Sequence, residues 1–149
     1  KYSKNLPVSV RLNGEDGLPG GITMRETLQV AKKLQQLGCD LISISGGAPE
    51  KTGILKEEDE AYFAGVSQKL KDNIRIPVLL TGGIRTPMVV DRLLENNICD
   101  LIGLARPLIA EPYLVSRWRT GDLKKAKCIS CNKCFYEEGI SKYVNCPIY

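Results

Sequence analysis

The sequence predicts an α/β protein: the second half (strands five to eight) of a (β/α)8 TIM barrel, followed by a short Cys-rich segment. Three observations carry that prediction. Short apolar runs alternate with amphipathic stretches four times along the 149 residues. The runs are apolar throughout, the pattern of strands covered on both faces in a parallel sheet. Odd and even runs also echo one another, since "CDLI" stands at Cys39–Ile42 and again at Cys99–Ile102, while a Pro-Val pair opens the runs at Pro7 and Pro77. Such alternation suits a barrel whose odd and even strands fill different interior layers, yet a closed barrel needs eight strands in about 250 residues. Four runs make half of one.

Each element has its own signal. "PVSVRL" (Pro7–Leu12) is a short β-rich run closed by "NGEDGLPGG", which is turn chemistry throughout. Thr23 and Glu26 then form a capping-box pattern, Leu28, Ala31, Leu34 and Leu37 recur at helical spacing, and Gly38 supplies the stop. The second strand is "DLISIS" (Asp40–Ser45), ended by Gly46 and Gly47. A helix from about Glu58 to Lys71, the strand Ile76–Thr81, a helix from about Thr86 to Asn96, the strand Cys99–Ala105 and a short helix from about Pro112 to Arg119 complete the series. Residues 1–122 are expected to form the half barrel and residues 123–149 the Cys-rich segment.

Composition narrows the function. A net charge of +4 with interspersed signs gives no field that calls for nucleic acid. The basic residues between Arg117 and Lys133 read as a solvated surface rather than a strand-binding groove. No apolar run approaches the ~20 residues of a membrane span, and no secretory pattern is visible, so a cytoplasmic protein with thiols rather than disulfides is expected. The absence of histidine removes the commonest general acid or base. A chain that starts at Lys1 and stops three residues after Cys146 reads as a cut piece of something longer.

In parallel α/β proteins ligands lie at the carboxyl ends of the strands. The third run is followed by "TGGIRTP" with Gly82 and Gly83, and the fourth leads into "GLARP", Gly103–Pro107. Small residues there let backbone N–H groups approach a phosphate, and an adjacent helix N-terminus favours its charge. In barrels the loops after strands seven and eight are the usual phosphate site, which numbers these strands. Arg11 is the next candidate: by strand alternation Val8, Val10 and Leu12 pack toward the helices while Ser9 and Arg11 point inward. A cation there needs an anionic or acceptor-rich partner.

Four stretches, "SVRLNGEDGLPGGIT", "LISISGG", "PVLLTGGIRTP" and "LIGLARPLIAEP", taken in order, resemble the second half of the old yellow enzyme family of flavin-dependent NAD(P)H oxidoreductases, nearest its 2,4-dienoyl-CoA reductase-like branch. The resemblance implies FMN at the carboxyl ends of the strands. It places Arg11 by the N1–C2=O region of the isoalloxazine and puts Gly82, Gly83, Ala105 and Arg106 around the phosphate. It further implies hydride transfer from NAD(P)H through flavin to an activated alkene, such as an enone or enoyl thioester. The family's substrate-binding residues and Tyr proton donor belong to the first half of the barrel, which is the missing partner here, so the isolated chain is expected to be inactive. Its open edges are expected to drive self-association or a homo-oligomer.

The resemblance also implies a [4Fe–4S] cluster, held in that branch by four cysteines spaced C-x2-C-x3-C-x11-C. Cys128, Cys131, Cys134 and Cys146 are spaced C-x2-C-x2-C-x11-C, one residue shorter. The shorter spacing is itself that of three ferredoxin ligands, and Cys146-Pro147 has the form of the remote fourth. Zinc, or free thiols, remain the alternatives at these positions. Cys39 and Cys99, at helix-to-strand junctions, read as packing residues. Two other functions stay open: a flavin-free, phosphate-binding barrel isomerase or synthase, and a zinc-binding interaction module.

Overall fold

A computed structural model of the chain describes residues 6–17, 19–46, 60–134, 144–146 and 148. Nine elements follow in order: β1 (Ser9–Asn13), α1 (Met24–Gln36), β2 (Leu41–Ser45), α2 (Ala64–Lys71), β3 (Val78–Thr81), α3 (Pro87–Glu95), β4 (Leu101–Gly103), α4 (Arg106–Ala110) and α5 (Leu114–Arg119). The four strands form one parallel sheet in the order β1-β2-β3-β4, with Arg11 opposite Ser43, Ile44 opposite Leu80 and Leu80 opposite Ile102. Sequential parallel order without a reversal is the arrangement of a barrel wall. Glu58, Asp59, Gly47 and Pro147 from the expected elements and motifs lie outside the described residues.

Local chemistry accounts for the helices. Thr23 Oγ1 accepts from the Glu26 amide at 3.4 Å while the Thr23 amide donates to Glu26 Oε2 at 2.8 Å, so the capping box forms as expected. Gly38 takes the left-handed φ of +88° that ends α1. Leu37 departs from its expected place on the apolar face: it is the C-cap residue and 71% exposed. Helix α4 was not foreseen, because its five residues span little more than one turn and show no periodicity; Pro107 in its first turn sets the entry.

The core lies between the sheet and the helices. Ala31 of α1, Val66 and Leu70 of α2, and Ile42, Ile44 and Val78 of the sheet form one buried cluster, joined by Val10 and Leu12. Leu80, Ile84, Val89, Leu93 and Cys99 form a second beneath α3. Each fully buried aliphatic side chain contributes about 1.5–3 kcal/mol. Val8 does not join them and stays exposed, because pairing begins beyond it at Ser9. The opposite, inner face carries Arg11, Ser43 and Leu79 in one row, and Leu101 there is 45% exposed.

The sequence echo has a structural cause. Asp40 donates its amide to the Val8 carbonyl at 2.8 Å and accepts the Val8 amide on Oδ2 at 2.7 Å. Asp100 makes the same pair of bonds with Val78, at 2.9 and 2.8 Å. Each Asp thus pairs the backbone where one strand enters alongside the next, and the preceding Pro7 or Pro77 brings no N–H that would need a partner. Cys39 and Cys99 fill the buried space before each Asp, as expected of packing residues.

Two outcomes test this account. Burial alone would raise the Asp100 carboxyl, but the Lys71 ammonium at 2.6 Å and the Val78 amide outweigh it and hold the pKa below the ordinary value. A carboxyl lowered in the folded state stabilises fully above its unfolded pKa, about 3.9, and loses that contribution as pH falls through the folded value. Urea titrations should therefore show Asp100→Ala less stable by about 1–3 kcal/mol at pH 7, the difference narrowing below pH ~4; a pH-independent difference would reject the carboxylate's role. Burial, then the Asp100 charge, pushes the Cys99 thiol up to about 11. Brief iodoacetamide treatment at neutral pH should leave Cys99 unmodified until denaturant is added, as read by peptide mass spectrometry.

Candidate functional site

The carboxyl ends of the strands open onto a cavity of about 240 Å³. Arg11, Gly82, Gly83, Ala105 and Arg106, the five residues picked out for a phosphate or flavin, all line it. Arg11 projects from the inner face of β1, and its Nη2 donates to Ser45 Oγ at the end of β2 at 2.7 Å. Arg106 enters from the start of α4 and is largely buried. With Arg85, which also lines it, three arginines stand at one small cavity and make it suited to an anion.

Glycine is required where side chains crowd the rim. A Cβ on Gly46 would stand 1.9 Å from the Phe63 ring, and one on Gly82 would meet Phe63 at 3.0 Å and Tyr62 at 3.1 Å. Tyr62 and Phe63 pack edge to face, their centroids 4.5 Å apart, over these glycines. On β4 a Cβ at Gly103 would fall 2.1 Å from Thr81 Oγ1, so the Thr81 side chain occupies that space instead. Gly83, at φ +69°, makes the turn toward α3. Gly82 and Gly83 of the "TGG" loop thus border the cavity, with the Tyr62–Phe63 pair packed beside Gly82.

The helix after it contributes differently from expectation. The N-terminus of α3 is already answered by Glu60, whose carboxylate accepts the Arg85 amide at 2.7 Å, the Thr86 amide at 3.0 Å and the Thr86 hydroxyl at 2.8 Å. Arg85 Nε and Lys125 Nζ lie 3.6 and 3.7 Å from the same carboxylate. The start of α3 is therefore already neutralised from within the protein. Sequence reasoning missed Glu60 because it falls in the helix expected from about Glu58, at the close of the charged run "KEEDE", where nothing local marks it as buried. The aromatic pair two residues later was the available hint.

Tyr62 was also missed as a cavity residue. Burial pushes its phenol up from the ordinary value, opposed by the charge and hydrogen bond of Arg106 and by Arg11. It is a neutral donor at neutral pH, suited to an anionic oxygen.

The four cysteines of interest converge. Cys128, Cys131, Cys134 and Cys146 line a second, smaller cavity together with Arg106 and Asn132. The Ser130 amide donates to Cys128 Sγ at 3.4 Å, and Ser130 and Asn132 hold left-handed φ values of +55° and +62°. Burial pushes the Cys134 thiol up; the neighbouring Cys128 and Cys131 add to this and Arg106 opposes it. Among the described residues, no group of three or more Cys, His, Asp or Glu is disposed to hold a metal ion as it stands.

Along the approach to this loop Arg119, Lys124, Lys125, Lys127 and Lys133 are exposed, as expected of a solvated surface, and Arg117 is the partly buried exception. Arg117 pairs with Glu111 and donates to the carbonyls of Asp122 and Lys124, at 2.9 and 3.1 Å, and Trp118 Nε1 donates to Lys124 at 2.9 Å. The Ala126 amide donates to the Arg85 carbonyl at 2.8 Å, which brings the segment back against the barrel. No described helix is long and apolar enough to cross a membrane.

Residues 1–125 match the NADH:flavin oxidoreductase / NADH oxidase family. The chain is 29% identical over 133 residues to an NADH oxidase of Thermoanaerobacter brockii, covering 87% of this chain and 20% of that protein. It is 31% identical over 122 residues to a bilirubin reductase of Mediterraneibacter gnavus, covering 76% of this chain and 19% of that protein. Its fold resembles a 2-naphthoyl-CoA reductase complex (TM-score 0.68, 27% identity, 78% of this chain and 19% of that one). It also resembles an old yellow enzyme homologue from Zymomonas mobilis (TM-score 0.56, 19% identity, 94% of this chain and 36% of that one). The chain spans about a fifth of the length of these curated relatives, and its four βα units are part of a (β/α)8 barrel. With most of its length matched, and its arginines and glycines gathered at the carboxyl ends of the strands, the chain belongs to the NADH:flavin oxidoreductase / NADH oxidase family.

Proposed function

We propose that this chain is the carboxyl-terminal half of the barrel of an FMN-dependent NAD(P)H oxidoreductase that reduces an activated C=C bond. The observation that carries the reading is the convergence of Arg11, Gly82, Gly83, Ala105 and Arg106 on one cavity at the carboxyl end of the sheet. The residues suit a flavin phosphate: small residues keep Cβ atoms off the rim of the cavity, and buried Arg106 and the neutral Tyr62 phenol offer donors on one side. Arg11, held by Ser45, supplies positive charge at the inner face, where it would favour negative charge on the ring system. Bound FMN would supply hydride acceptance from NAD(P)H and hydride donation to the substrate carbon.

What this chain does not carry would come from the partner half of the barrel. The exposed inner leucine of β4 and the unpaired outer edges of β1 and β4 among the described residues are the surfaces that half would cover. Substrate-orienting groups and the proton donor are assigned to it, so the isolated chain is inactive in this reading. The relatives named as reductases, one of them acting on a CoA thioester, support an alkene conjugated to a carbonyl as the substrate class.

Residues 123–149 form the Cys-rich segment, and Cys128, Cys131, Cys134 and Cys146 are proposed as ligands of a [4Fe–4S] cluster, in keeping with the dienoyl-CoA reductase-like branch. Their placement around one cavity and the N–H to sulfur bond at Cys128 support this. Left-handed backbone at a serine is uncommon and costs about 1–3 kcal/mol, which is the kind of strain that accompanies a ligand-binding loop.

The deciding experiment is an anaerobic absorption spectrum with iron, zinc and sulfide analysis on this chain joined to the rest of its barrel. Flavin bands with about four irons per chain are expected. Iron-free flavin bands would remove the cluster, and the absence of flavin would favour the phosphate-binding isomerase or synthase. In the same protein Gly103→Ala should drive Thr81 into the cavity and weaken FMN binding by about tenfold or more, equivalent to ~1.4 kcal/mol, by flavin fluorescence titration. Unchanged affinity would mean that the flavin does not use this wall.

A further inference from the structure

The two cavities have a lining residue in common. Arg106 lines both of them, is buried, and donates through Nη1 to Asn132 Oδ1 within the cysteine loop. Tyr62 lines the larger cavity with it. Ser130 comes from the cysteine loop: it lines the larger cavity while its amide bonds Cys128 Sγ. Asn132 lies between Cys131 and Cys134 in left-handed backbone, so the side chain that anchors it to Arg106 also sets the path between two thiols.

We propose that Arg106, which meets the ligand, and Asn132, a positioning residue behind it, couple the two cavities, so that a phosphate-bearing ligand in the larger one orders the cysteine loop beside the smaller one. The inference rests on the flavin-site reading above. A ligand oxygen that pairs with Arg106 fixes the guanidinium in one orientation. That orientation holds the Asn132 acceptor, and Asn132 in turn holds the Cys131–Cys134 segment. By linkage the effect is reciprocal: whatever fills the cysteine cavity tightens binding in the larger one by the same factor.

The test uses the full-length protein, reduced and stripped of metal, under anaerobic conditions. Iodoacetamide labelling rates of Cys131 and Cys134 are followed by peptide mass spectrometry, without ligand, with saturating FMN, and with inorganic phosphate. FMN should slow labelling by about fivefold or more, the lower end of usual coupling, and phosphate should slow it in the same direction. Asn132→Gly keeps the left-handed backbone accessible while removing the acceptor, and should abolish the protection. Asn132→Asp retains an acceptor and should preserve it. Protection that persists in Asn132→Gly means direct shielding by the ligand and overturns the relay. Equal rates with and without FMN, when a separate fluorescence titration shows FMN bound, overturn the relay alone. Failure of both FMN and phosphate to bind overturns the flavin-site reading and the relay together.

Discussion

The arrangement of the site depends on one buried carboxylate. Glu60 has no exposed side-chain surface, and a bare charge in that position would be prohibitively unfavourable. It persists because two amides, a hydroxyl and two cationic side chains surround it. Those donors come from the β3–α3 loop and from Lys125, so satisfying one carboxylate fixes three segments relative to one another. Ala61, next in the chain, takes a left-handed φ of +58° that turns Tyr62 and Phe63 onto the glycines of the rim. The shape of the cavity is therefore a consequence of how Glu60 is neutralised.

The sheet beneath is governed by the requirement that backbone groups be paired. A parallel strand that enters beside its neighbour needs partners for the amide and carbonyl at its start. Here Asp40 and Asp100 provide both, from the strand that follows a helix later. Thr27 and Ser67, both fully buried, extend the same economy to the helices: their hydroxyls donate to the carbonyls of Asn13 and Ile98, at 2.8 and 2.7 Å. With the backbone settled in this way, the inner face is free to carry polar side chains, and β1 and β2 place a cation and hydroxyls there.

The cysteine segment is attached to this frame by backbone bonds as well as side chains. Arg117 gathers the carbonyls of the chain leaving α5, and the Ala126 amide ties that chain to the loop that also presents Gly82 and Gly83. Arg106 then stands between two cavities that the sequence separates by some twenty residues. Proximity of this kind makes the two sites difficult to treat independently, since any group that moves Arg106 is felt on both sides.

The four βα units, their parallel order and the glycine-rich loops at one end were legible from the sequence, because apolar runs, the Thr23–Glu26 box and Gly38 are local signals whose physics acts within a few residues. The cysteine spacing was legible as a set, and the repeated "CDLI" pointed to a repeated job without revealing it. What escaped depends on contacts between distant positions. Glu60 looks like one more solvated acid until the Arg85 and Thr86 amides come within 3.0 Å, Tyr62 looks like a residue of the helix expected from about Glu58 until it is found beside Gly82 ahead of α2, and Arg117 looks like surface charge until Glu111, Asp122, Lys124 and Lys125 present carboxylate and carbonyl oxygens to it. The sequence by itself determined the four strands, the helices that carry a cap or a period of their own, and where glycines fall in the loops, but not α4 or the start of α2. Only the tertiary structure decided which charges are buried, what neutralises them, and that one arginine serves two cavities, because desolvation and pairing depend on neighbours that the chain brings together only on folding.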